Sequence, residues 1–130
     1  FLSHASGQGT GSLVLVGSTA GIYGEAGHSD YAAAKGAITT GLLLSLKNDV
    51  SRIGSVRVNA VAPGLTETRL SSPITSSEAS KDAAVNMIPL NRINRAEEVA
   101  ATMHWLLTEA PDNITGQVFH LDGGMSNVRS

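Results

Sequence analysis

Leu13-Val14-Leu15-Val16, followed at once by Gly17-Ser18-Thr19-Ala20-Gly21, is an unbroken apolar run that empties into a glycine-rich segment. A strand with one wet face alternates apolar and polar residues. A run without alternation suits a strand covered on both faces, as in a parallel sheet. The segment from Ser18 to Gly27 then reads as a loop leaving the carboxyl end of that strand.

Upstream, residues 3–12 are rich in Ser and Gly and read as a loop. Downstream, alanines and leucines without proline predict a long helix over about 29–51, with Ser29 or Asp30 as N-cap and Gly54 closing it. Val56-Arg57-Val58-Asn59-Ala60-Val61 predicts a second strand, ended by Pro63-Gly64. Residues 64–80 carry many Ser and Thr and read as a loop free to move. A short helix follows from about Ser77 to Met87, stopped by Pro89. Asn94-Arg95-Ala96-Glu97 has the form of a capping box with Asn at its head. The helix behind it sets Val99, Met103, Leu106 and Leu107 on one face, and Pro111 stops it. Gln117 to Leu121 predicts a third strand, ending in Asp122-Gly123-Gly124. This alternation is that of an α/β fold with parallel strands. Three strands make a narrow sheet, so the sheet is expected to be incomplete.

Composition points the same way. The chain has 130 residues, 42% hydrophobic and only 15% charged, with 14 glycines and a net charge of −2. A domain-sized chain with so little charge is expected to have some surface covered by a partner, or to be part of a larger unit. The charge gives no basic field for nucleic acid. The absence of cysteine excludes a disulfide scaffold and thiolate zinc sites. No apolar run approaches the ~18 residues of a bilayer span. The start, Phe1-Leu2-Ser3-His4, lacks the form of a signal peptide, and a cytoplasmic protein whose natural chain begins before Phe1 is the expectation.

Tyr31 and Lys35 are four apart at the start of the long helix and so share a face. A phenol is a poor acid or base near neutral pH, and a neighbouring cation favours the phenolate. The pair is therefore a candidate proton donor and acceptor. Ser18, just beyond a strand's carboxyl end, can bring a hydroxyl to the same place. A surface tyrosine beside a solvated lysine is the plainer reading of the pair taken alone.

Gly17-Ser18-Thr19-Ala20-Gly21, Tyr31-Ala32-Ala33-Ala34-Lys35, Arg57-Val58-Asn59-Ala60-Val61-Ala62-Pro63-Gly64, and Thr115-Gly116-Gln117 through Asp122-Gly123-Gly124 together resemble the short-chain dehydrogenase/reductase family. They match in order and spacing, and look most like its classical, 3-oxoacyl carrier-protein reductase-like branch. The resemblance implies the C-terminal half of a Rossmann-type α/β domain and NAD(P)-dependent interconversion of an alcohol and a carbonyl. It implies Ser18, Tyr31 and Lys35 as catalytic group: Tyr31 as proton donor or acceptor, Lys35 supporting it and bonding the nicotinamide ribose, Ser18 orienting the substrate oxygen. Pro63, Gly64 and Thr66 would flank the nicotinamide, Thr68 would approach the pyrophosphate, and residues 64–80 would close over a small carbonyl or alcohol substrate.

The glycine-rich turn that opens a helix and cradles phosphates is absent. Gly7-Gln8-Gly9-Thr10-Gly11 precedes a strand and reads as a connection. Two readings remain: part of a longer enzyme, or a non-catalytic truncated member acting as an interaction module. Alone, the chain is expected to be sticky or partner-dependent. Leu42-Leu43-Leu44 and Leu46 spread around the long helix, which suits burial on two sides; the family's oligomers form through this helix. His28 reads as a solvated loop residue, Arg57 and Asn59 as structural hydrogen-bonders, and His104 and Trp105 as packing residues. No metal site is expected from His4 or His120.

Overall fold

The computed structural model describes residues 1–126. Its centre is the strand β2, Ser55–Pro63, which is buried along almost its whole length. Two strands flank it in parallel: β1, Thr10–Val16, on one side and β5, Val118–Leu121, on the other, giving the order β1-β2-β5. The register pairs Leu13 with Val58, Val16 with Val61 and Pro63 with Leu121.

Alternation along β2 divides the core in two. Val56, Val58 and Ala60 point to one face. There they meet Ala5 of helix α1 (Leu2–Gln8) and Leu43 and Val50 of helix α4 (Leu43–Val50). Val61 points to the other face, against Leu106 and Ala110, with Met103 and Trp105 of helix α7 (Ala96–Thr108) packed beside them. Trp105 meets Phe119 of β5 edge to face, 5.9 Å between centroids. Helices on both faces of a parallel sheet bear out the expected architecture.

Arg57 and Asn59, also on the α7 side, are buried and structural, as expected. Arg57 Nη1 donates to the Leu106 carbonyl at 3.0 Å, and Ser12 Oγ donates to the same oxygen at 2.9 Å. That carbonyl lies in the last turn of α7, where the helix offers it no partner and its dipole favours a cation. Asn59 Nδ2 donates to Ile114 O at 2.8 Å, and its Oδ1 accepts from the Gln117 amide at 3.1 Å. A single buried amide thereby orders the turn that leads into β5.

Several local expectations are corrected. Residues 3–12 are not a loop: α1 occupies 2–8, ended by Gly9 at φ 70°, whose amide returns to Ala5 O. Burial of Ala5 outweighs the loop-like composition. β1 is packed on both faces as expected, Leu13 and Leu15 on the α4 side and Val14 on the α7 side, but it is only half-buried, because it is an edge strand here, with Val16 39% exposed. The glycine-rich segment after β1 holds a helical turn, α2 (Ala20–Tyr23).

The long helix runs as α3 (Ser29–Gly36), a π-helical stretch over Ala37–Leu42, and then α4. Its cap is the backbone of His28, whose carbonyl accepts from Ala32 N; Ser29 and Asp30 are already helical, with Asp30 suiting the first turn. Leu43 and Leu46 face the core, while Leu42 and Leu44 are exposed. In α7 the cap is Arg95, not Asn94: Glu98 Oε2 accepts from the Arg95 amide at 2.8 Å. Asn94 instead uses its side chain on Leu121 O. Leu107 faces solvent at 45% exposure, and Trp105 takes the packed position. His104 is exposed, with its ring beside the Thr108 hydroxyl. Among the described residues, no helix is long and apolar enough to cross a membrane.

Candidate active site

Beyond the sheet, the carboxyl ends of the three strands are laced to one another. Gly17 N donates to Val61 O at 2.8 Å, Thr19 N to Pro63 O at 3.0 Å, and Gly64 N to Leu121 O at 2.9 Å. The turn bearing Ser18 therefore lies beside the Pro63-Gly64 turn. This end of an open α/β sheet is where ligands bind.

α2 crosses α3 without side chains between them. A Cβ on Gly21 would stand 2.5 Å from Gly36 N and 2.6 Å from the Lys35 carbonyl carbon. Only glycine permits that approach, and it brings the Ser18 turn directly against the helix of Tyr31 and Lys35. Lys35 Nζ donates to Val16 O at 3.0 Å, at the end of β1, and sits 5.8 Å from the centroid of the Tyr31 ring. Such a distance is within cation–π range. Ser18 follows Val16 by two residues, and its Oγ accepts from the Ala20 amide at 3.2 Å. Tyr31 is 38% exposed, and among the described residues its hydroxyl makes no hydrogen bond. Lys35 thus joins the strand end that carries Ser18 to the ring of Tyr31. The arrangement offers a reachable phenol, a cation beside it and a neighbouring hydroxyl.

Beneath this corner, Thr39 is buried in the π-helical stretch, with Oγ1 near the carbonyls of Lys35 (3.4 Å) and Gly36 (3.3 Å). It is a residue that sequence reasoning missed. Its only signal was a polar residue on an otherwise apolar helix face.

Thr66 and Thr68 lie on the next segment. That segment is more ordered than a plain loop: β3 (Thr66–Glu67), α5 (Ser72–Thr75) and α6 (Glu78–Asn86), the last close to its expected bounds and capped by Ser77. β3 pairs in parallel with β4 (Asn94–Arg95), and Asn94 N donates to Leu65 O, so the segment 64–95 closes on itself at its neck. Thr66 Oγ1 donates to Gly64 O at 2.9 Å. Thr68 N donates to Ser71 Oγ at 3.0 Å, and the Ser71 hydroxyl reaches Thr66 O at 2.6 Å. Ser71 is buried and ties this turn together. The surrounding run of serines hid it from the sequence reading. The segment exposes Leu70, Met87 and Leu90.

Near the end of β5, Arg92 makes a bidentate pair with Glu98, both bonds 2.9 Å. The Arg92 hydrogen bond, reinforced by the Arg95 amide, holds the Glu98 carboxyl down to about 2, and Glu98 raises Arg92 in turn. His28 lies on the surface, its Nδ1 3.5 Å from Glu25.

The donor set at the strand ends suits the nicotinamide end of a dinucleotide. A reachable ammonium and an unengaged phenol are the groups a ribose hydroxyl pair needs, and the Pro63-Gly64 turn adjoins them. The Gly-x-x-x-Gly-x-Gly turn that would take the phosphates is not in the 130 residues.

Comparison with known proteins bears on the family and the fold. The family described as Enoyl-(Acyl carrier protein) reductase matches residues 2–126. The chain is 38% identical over 118 residues to the 3-oxoacyl-[acyl-carrier-protein] reductase FabG of Thermotoga maritima, covering 91% of this chain and 46% of that protein. It is 40% identical over 124 residues to carbonyl reductase family member 4 of Danio rerio, covering 95% of this chain and 46% of that protein. Among solved structures, it is similar to a gluconate 5-dehydrogenase from Burkholderia cenocepacia in complex with NADP and tartrate. There the TM-score is 0.89 at 27% identity, covering 98% of this chain and 49% of that one. The chain spans about half the length of the curated relatives it matches. With a family match over residues 2–126 and the fold shared, the chain belongs to the short-chain dehydrogenase/reductase family.

Proposed function

We propose that this chain carries the catalytic half of an NAD(P)-dependent oxidoreductase that interconverts an alcohol and a ketone or aldehyde. The observation that carries the reading is Lys35, held at the end of β1 on Val16 O and facing the Tyr31 ring. Hydride is what the nicotinamide supplies or accepts when bound. Tyr31 Oη gives a proton to the carbonyl oxygen during reduction and takes it back during oxidation. Lys35 steadies the oxygen that loses its proton and, released from Val16 O, reaches a ribose hydroxyl. The Ser18 hydroxyl donates to the substrate oxygen and fixes its approach. Pro63, Gly64 and Thr66 border the nicotinamide, and Thr68 lies toward the phosphates. The 64–95 segment covers the substrate and excludes water.

NADP in the similar structure and the reductase relatives support the chemistry and leave NAD or NADP open. The exposed Leu42 and Leu44 on the long helix suit a second copy of the chain, and the place of action is cytoplasmic in this reading. A second reading, a non-catalytic interaction module, is favoured by the open edge of β1.

The test joins the part of the Thermotoga maritima reductase that this chain does not match ahead of Leu2. The chimera is assayed for NADPH-dependent reduction of a 3-oxoacyl thioester and of simple ketones. Turnover supports the catalytic reading. A folded chimera that binds NADPH and reduces none of them supports the module.

A further inference from the structure

Both ends of the 64–95 segment hang on one short turn. At its start, Gly64 N donates to Leu121 O, and a Cβ on Gly64 would already lie 3.2 Å from Asp122 Cα. At its finish, the Asn94 side chain donates to the same Leu121 oxygen, and Leu90 N donates to Gly123 O at 3.1 Å. Gly123, at φ 62°, lies so close to Ile88 that a Cβ would meet its Cγ2 at 2.4 Å. The turn has no helix or strand to hold it. What holds it is Asp122, buried, with Oδ1 accepting from Gly124 N and Oδ2 from Ser126 N, each at 3.0 Å.

We infer that Asp122 is a positioning residue for the active-site segment. Its carboxylate shapes the 122–126 turn, and that turn fixes where the segment carrying Thr66 and Thr68 leaves and rejoins the sheet. The two bonds are charge-assisted and partly buried, so they outweigh the neutral turn bonds around them. A carboxylate supplies two acceptors to two amides. An asparagine supplies one and sets an N–H against the other amide. The role rests on the functional reading above only in calling the segment part of a site; the coupling itself does not depend on it.

The experiment is amide hydrogen exchange on the whole chain and on its Asp122→Asn and Asp122→Ala variants. Gly64, Leu90 and Asn94 amides report on the neck, and Ala60 and Val61 amides report on the sheet. Asp122→Asn is expected to speed exchange at the neck by about tenfold, and Asp122→Ala by more, with the sheet amides little changed. Equal acceleration at neck and sheet, or an Asp122→Asn variant that exchanges like the parent, would overturn the inference. Should Asp122→Ala fail to fold, Asp122→Asn decides alone. The readout needs no cofactor. Coupling without turnover in the chimera would count against the oxidoreductase reading only, and turnover without coupling would count against Asp122 only.

Discussion

Gly21→Ala places a methyl group where the structure has backbone. The new Cβ would lie 2.5 Å from Gly36 N, 2.6 Å from the Lys35 carbonyl carbon and 2.9 Å from Lys35 Cβ. None of these is the end of a flexible side chain. Ordinary contact begins near 3.4 Å, so α2 and α3 must separate by roughly 1 Å. Overpacking of this kind costs about 1–3 kcal/mol. The control lies in the π-helical stretch of the long helix: a Cβ on Gly41 meets nothing within 4 Å. Gly41→Ala should gain about 0.5–1 kcal/mol from reduced backbone freedom. The assay is urea unfolding followed by the fluorescence of Trp105, the single tryptophan, which packs on Phe119. With a slope of about 1–3 kcal/mol per molar, Gly21→Ala should lower the midpoint by about 1 M and Gly41→Ala should raise it slightly. In the chimera, the same displacement moves Ser18 away from Tyr31 and Lys35, and turnover should fall by about a hundredfold. A Gly21→Ala chain as stable as the parent, or indistinguishable from Gly41→Ala, would refute the close crossing.

Arg57→Ala removes the buried cation on the Leu106 carbonyl while Ser12 keeps its own bond there. It should cost about 1.5–3 kcal/mol, read in the same urea assay. Glu98 is held at about 2 against an ordinary value of 4.5. Its contribution is therefore full above the unfolded value and is lost as pH falls from about 4.5 toward 2. The parent midpoint should drop more steeply over that window than that of Glu98→Gln, and equal slopes would contradict the assignment.

How much of this was legible in the sequence follows from where the information sits. The period-2 run of β2 and the apolar run of β1 are local, so both strands were readable, although β1 begins three residues earlier than its apolar core. Tyr31 and Lys35 were readable as a pair because four residues is one helical turn. The link from Lys35 to Val16 O was not, since it spans nineteen positions and depends on the Gly21–Gly36 crossing. Ser71 acts through backbone groups brought together by the chain's path, and nothing in its neighbours' identities marks it; Asp122 was legible within Asp122-Gly123-Gly124, but its bonds to the Gly124 and Ser126 amides were not. The half-burial of β1 was missed because an apolar strand reads alike whether or not a neighbour pairs with its outer edge.

The most direct test is Tyr31→Phe in the chimera, with turnover and NADPH binding measured side by side. The account predicts that carbonyl reduction is lost by at least about a hundredfold while NADPH binds nearly as before. Turnover that survives the loss of the Tyr31 hydroxyl would contradict it.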